Sequence, residues 1–121
     1  MNFLAPPWRA QDPNPRRFNN IGIMCSDPTI FIAEVFGHGS NDGHGEKNAQ
    51  LIAASPRMHQ AIGIALDILQ QHSETGFSVS VNLGLTELTD MLRTVYAHAN
   101  GAASDDQVVA AIAEAEKTIA P

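Results

Sequence analysis

A proline at position 56 sits inside what would otherwise be one long helix-forming stretch. Residues 46–54 are helix formers throughout, and beyond the proline Met58, Ala61, Ile62, Ala65, Leu66, Ile68 and Leu69 recur at helical spacing. Proline has no N–H to donate, and its ring crowds the carbonyl four residues back. It therefore ends a helix that precedes it but suits the first position of a new one. Ser55 supplies the side-chain oxygen that an N-cap needs. The pattern predicts one helix ending at Ala54 and a second running from Pro56 to about His72.

The first 19 residues hold Pro6, Pro7, Pro13 and Pro15 together with Asp12, Asn14 and Asn19, and read as an extended arm. Trp8 is expected to tuck against a core or a neighbouring subunit. Residues 20–25 and 29–36 are strand-like, and Ser26-Asp27-Pro28 between them is a turn signal, so 20–36 reads as a β-hairpin. The second run is apolar at nearly every position, with Glu34 marking an exposed point. Such a strand has one face for helices and another for a further strand or chain, and Phe31 and Phe36 read as core. Four glycines in residues 37–45 make that segment a loop.

Phe77, Val79, Val81 and Leu83 alternate with Ser78, Ser80 and Asn82, which predicts a weak strand able to join the hairpin as its third member. Thr86 is placed to cap a helix carrying Leu88, Met91, Leu92 and Val95, with Asn100-Gly101 as its stop. Ser104 and Gln107 form a capping-box pattern for a last helix, and Asp105 and Asp106 favour the positive end of its dipole. Val108, Ile112, Ala115 and Ile119 make a narrow seam on it, suited to the preceding helix or to a partner subunit. The expected fold is α+β in a single domain, 1–121. It comprises an arm over 1–19, a hairpin over 20–36, a loop over 37–45 and a mainly helical remainder, 46–121. A small antiparallel sheet is expected to pack against three to four C-terminal helices.

Composition narrows function mostly by exclusion. A hydrophobic fraction of 44% over 121 residues suits a globular domain. The lone Cys25 rules out an internal disulfide and fits a reducing cytoplasm. Residues 1–5 lack a basic flank and a long apolar stretch, so no secretory leader is expected, and no apolar run is long enough for a membrane span. Seven Lys and Arg against a net charge of −6 argue against direct nucleic-acid binding.

The loop Gly37-His38-Gly39-Ser40-Asn41-Asp42-Gly43-His44-Gly45 is the first candidate for chemistry. Two imidazoles and a carboxylate are metal-ligand types, and glycine N–H groups near a helix start suit an anion. The spacing matches no zinc signature, Walker loop or dinucleotide fingerprint, and a polar surface loop is the simpler reading. His59, His72 and His98 share no metal-ligand spacing. Cys25 has no activating motif and reads as a buried structural thiol. Trp8 and Arg9 suit stacking or an acidic partner, while Arg16, Arg17 and Arg9 with the glycine loop suit a phosphate. No catalytic constellation, metal site or cofactor is expected.

Pro7-Trp8-Arg9 near the start and Asn48-Ala49-Gln50-Leu51-Ile52-Ala53-Ala54-Ser55-Pro56 carry a resemblance. The chain resembles a family of small phage- and prophage-encoded proteins that begin with a Pro-Trp-Arg-like stretch. In that family a short β-rich part follows, then an Asn-Ala-x-Leu-Ile-Ala-Ala-x-Pro segment leading into a Leu/Ala-rich helix. The resemblance spans residues 8 to 69. It departs after the proline, where Arg57-Met58-His59-Gln60 replaces an acidic, leucine-rich turn. It brings no catalytic residue. It implies a non-enzymatic accessory protein in the host cytoplasm that acts by binding, such as an inhibitor of a host enzyme or an anti-phage defence complex. The expected surface is Trp8, Arg9, Arg16, Arg17, His38, Ser40, Asn41, Asp42 and His44 with the hairpin edge. The alternatives are a homo-oligomer sequestering a small nucleotide-type ligand, and a metal-dependent enzyme on His38, Asp42 and His44.

Overall fold

A computed structural model describes residues 4–11, 20–27, 30–36, 43–75 and 79–119. Three short strands precede three helices: β1 (Arg9–Ala10), β2 (Ile21–Met24), β3 (Phe31–Val35), α1 (His44–Thr75), α2 (Val79–Ala99) and α3 (Asp105–Glu116). The fold is α+β, with an antiparallel sheet in the N-terminal half and helices after it. The chain divides into two compact units, Met1–Pro56 and Arg57–Pro121.

In the first unit β2 and β3 pair antiparallel and the Ile30 N–H donates to the Asp27 carbonyl at 3.1 Å, while Pro28 of the predicted turn lies outside the described residues. The third strand comes from the N-terminal arm. β1 pairs with β2 through Arg9↔Met24 and Ala10↔Ile23, and the Gln11 N–H extends the ladder to the Gly22 carbonyl. The sheet order β1-β2-β3 puts β2 in the middle, and all four of its residues are buried. Ile21, Ile23, Val35 and Ala49 of α1 form the core, with Trp8, Ile32, Ala33 and Ile52 against it. A register shift between Ile23 and Met24 lets the neighbours Ile32 and Ala33 both reach this core.

Residues 79–83 are not a strand; they open α2. Val79, Val81 and Leu83 alternate over too few residues to decide the matter. Val81 also continues the helical series Leu85, Leu88, Met91, Val95 at steps of four and three. Thr86 accordingly lies inside α2 and does not cap it. The stop is as read: Gly101 takes φ 79°. The Ala102 N–H reaches the Ala97 carbonyl and the Gly101 N–H the His98 carbonyl, a Schellman closure. The capping box of α3 forms in both directions, Gln107 N–H to Ser104 Oγ at 3.2 Å and Ser104 N–H to Gln107 Oε1 at 2.8 Å.

The largest correction concerns Pro56. α1 does not break there; it runs unbroken from His44 to Thr75. Proline at 56 withdraws the N–H that an α-helix would deliver to the carbonyl of residue 52. Ser55 makes good that loss, its hydroxyl donating to the Ile52 carbonyl at 2.7 Å. The serine read as an N-cap is thus a substitute donor in mid-helix.

The second unit is helical. Ala61 and Ile68 of α1, Leu88, Met91 and Val95 of α2, and Val108, Ile112 and Ala115 of α3 form its core. The narrow seam of the last helix is used inside the chain, against α1 and α2. Arg57 grips Asp105 with two bonds, Nε to Oδ1 at 2.7 Å and Nη2 to Oδ2 at 3.0 Å. Both side chains are largely covered, at 13% and 25% exposure. The hydrogen bond from Arg57 holds the Asp105 carboxyl below its ordinary value of 3.8, with partial burial opposing it.

Two outcomes follow from these contacts. Ser55→Ala is expected to lower stability by about 1 kcal/mol in denaturant unfolding. In a Pro56→Ala background, where residue 56 again has an N–H, the same change is expected to have almost no effect, and a double-mutant cycle reads the coupling. Asp105, with its folded pKa depressed, contributes stability that is complete above 3.8 and lost as pH falls through the folded value. Asp105→Asn is therefore expected to lose about 1–2 kcal/mol at neutral pH, between exposed and buried pairs, and to flatten the acid limb below about pH 4.

Candidate protein-docking surface

The hairpin presents a surface that its composition did not announce. β3 is an outer strand of the described sheet; Val35 is buried and Ile32 and Ala33 are half-buried against the core, while Phe31 and Glu34 are exposed. Phe31 is 47% exposed and Phe36 70%, with Ile30 beside them also exposed. The expectation that both phenylalanines are core is corrected: Phe31 lies over Gly22, on the face of β2 opposite the core residues Ile21 and Ile23, and Phe36 follows the end of β3. With β1 on one side of β2 and β3 on the other, the doubly covered strand is β2. Glu34 is exposed, as its place in the run indicates.

Phe31 has a defined seat. A Cβ on Gly22 would lie 2.6 Å from the ring carbon Cε1 of Phe31 and 3.3 Å from Gln11 Oε1. The ring therefore covers the β2 backbone where only glycine leaves room, and its other side faces out. This side-chain-free position lets an aromatic ring pack on the β2 backbone while remaining 47% exposed.

The residues singled out by sequence fare unevenly. Arg16, Arg17, His38, Ser40, Asn41 and Asp42 lie outside the described residues. Trp8 is half-buried against the first core, its Nε1–H donating to the Leu4 carbonyl at 3.0 Å, which is the structural role. Arg9 is exposed on β1, the opposite edge of the sheet from β3. His44 is not in the loop; it is the exposed first residue of α1, and Gly45 follows it into the helix. Gly43 turns the chain into that helix with φ 69°, and its carbonyl accepts from the Lys47 N–H.

The other reactive side chains have structural surroundings. Cys25 is buried, its thiol 3.6 Å from the Asp27 carbonyl. His98 is buried at the end of α2 with Nδ1 2.9 Å from the Ala103 carbonyl, inside the α2–α3 turn. His72 is buried in the last turn of α1, with Nδ1 unpartnered. Among the described residues, no three His, Cys, Asp or Glu gather to hold a metal, and no helix is long and apolar enough to cross a membrane.

The second unit has exposed apolar side chains of its own, on α1 (Ile62, Leu66, Leu69) and on α2 (Leu92, Tyr96). It is also where the negative charge is concentrated: residues 57–121 carry eight Asp and Glu against three Lys and Arg. Comparison of the chain with protein-family models, with curated proteins and with solved structures found no match.

Gly22→Ala tests the seat of Phe31. It is expected to displace the ring and lower stability by about 1–2 kcal/mol, as overpacking does, and Phe31→Ala in the same chain is expected to recover much of that loss.

Proposed function

We propose that this protein is a non-enzymatic accessory protein of a phage or prophage, one that binds a host enzyme or an anti-phage defence complex and blocks it. The single observation that carries a binding role is the pair of exposed aromatic side chains on the hairpin, Phe31 of β3 and Phe36 one residue past its end. Aromatic side chains dominate interface hot spots because they bury much area with little entropy to lose. The outer strand of a sheet is also a surface that proteins normally cover or blunt unless it is used. The phage setting rests on the Pro7-Trp8-Arg9 and Asn48–Pro56 motifs and places the encounter in the host cytoplasm.

The acidic balance of residues 57–121 suits a host target with a basic face and would speed the encounter at low salt. A homo-oligomer is compatible with this reading, the exposed edge serving copies of the chain as well as a target. The nucleotide-sequestering alternative draws on Arg9, Arg16, Arg17 and the glycine loop. Of these, Arg9 alone among the arginines belongs to the described residues, and it stands on the far edge of the sheet from β3.

Native mass spectrometry of the protein isolated gently from host lysate tests the proposal. The expected result is one host protein retained at fixed stoichiometry, lost on Phe36→Ser while the far-ultraviolet circular dichroism is unchanged. A bare chain, or a small added mass in place of a protein, would overturn it.

A further inference from the structure

We propose that the outward face of α1 between Ile62 and Leu69 is a docking stripe for a cationic amphipathic helix of another protein. The stripe belongs to the second unit and shares no residue with the hairpin edge. Ile62, Leu66 and Leu69 are 55%, 61% and 50% exposed. They are spaced i, i+4, i+7, which sets them in one row along the helix. The helix does not need this row for its own core, because Ala61 and Ile68 on its other side are fully buried there. Row spacing of this kind is how a helix reads a partner helix.

Gly63 supports the same use. A Cβ built on it would meet nothing within 4 Å. A glycine in a helix interior weakens the helix relative to alanine, and nothing among the described residues crowds this one. It leaves a notch beside Leu66 into which a second helix can come close.

Charge selects the occupant. Arg57, at the start of this part of α1, is engaged with Asp105. From there to Thr75 the helix has no Lys or Arg, and its acids are Asp67 and Glu74. With eight acids to three bases in residues 57–121, a second copy would set like charge against like. An anionic membrane surface would be repelled for the same reason. A helix flanked by Lys and Arg is complementary.

The test uses the full chain and two labelled synthetic helical peptides, with leucines at i, i+4 and i+7 and flanks of either lysine and arginine or glutamate. Fluorescence anisotropy is expected to show binding of the cationic peptide that weakens as salt is raised, and at least roughly tenfold weaker binding of the acidic one. Leu66→Ser should reduce the cationic affinity by about tenfold or more with the fold intact. Gly63→Ala should move two readouts in opposite directions, raising the unfolding midpoint and weakening the peptide. No binding, equal binding of both peptides, or indifference to Leu66→Ser would overturn the proposal. So would a dimer in sedimentation that Leu66→Ser dissolves, since the occupant would then be a second copy. Loss of the host partner on Phe36→Ser leaves this result untouched, so the two surfaces stand or fall separately.

Discussion

One hydroxyl offsets part of the backbone loss that a proline imposes in mid-helix on the longest described element of this protein. α1 lends Ala49 and Ile52 to the core beneath the sheet, and Ala61 and Ile68 to the helical core. Its path includes Pro56, which removes a backbone donor in mid-helix, and interior proline costs about 3 kcal/mol relative to alanine. The carbonyl it deprives is that of Ile52, and Ser55 donates to that carbonyl. The repair is local, from the adjacent side chain.

Much of the fold was legible because it is written locally. The turn at Ser26-Asp27, the stop at Asn100-Gly101 and the capping box at Ser104 and Gln107 are each decided by a few neighbouring residues, and each forms as read. What the sequence concealed depends on competition or on distance. Ser55-Pro56 offers the chain both a cap-and-start and a repaired continuation, and composition alone does not rank them. Residues 79–83 satisfy a period of two among themselves and a helical period with Leu85 and Leu88, and the longer pattern wins.

The exposed aromatic surface of the hairpin was hidden for a topological reason. An apolar run such as 30–36 states that it is strand-like but not whether it is central or peripheral. That is settled by which segment supplies the third strand. The arm supplies it, on the far side of β2, so β3 is an outer strand of the described sheet, with Phe31 on it and Phe36 just past its end, both exposed. Had residues 77–83 paired with β3 instead, the same phenylalanines would have met a neighbour. On the helical side, the series from Met58 to Leu69 announced one apolar face. The structure divides it into a buried row and an exposed row, because one core uses only part of a wide stripe.

The pairing of Ser55 with Pro56 also sets an order on how such a helix can be reached by single substitutions. A proline arriving at 56 next to an alanine would leave the Ile52 carbonyl bare and weaken the chain at once. Arriving next to a serine, it finds a donor already in place. Serine first and proline second is therefore the less costly route, and the reverse order applies to leaving it. The dipeptide behaves as a ratchet: once the proline is present, the serine is no longer free to drift.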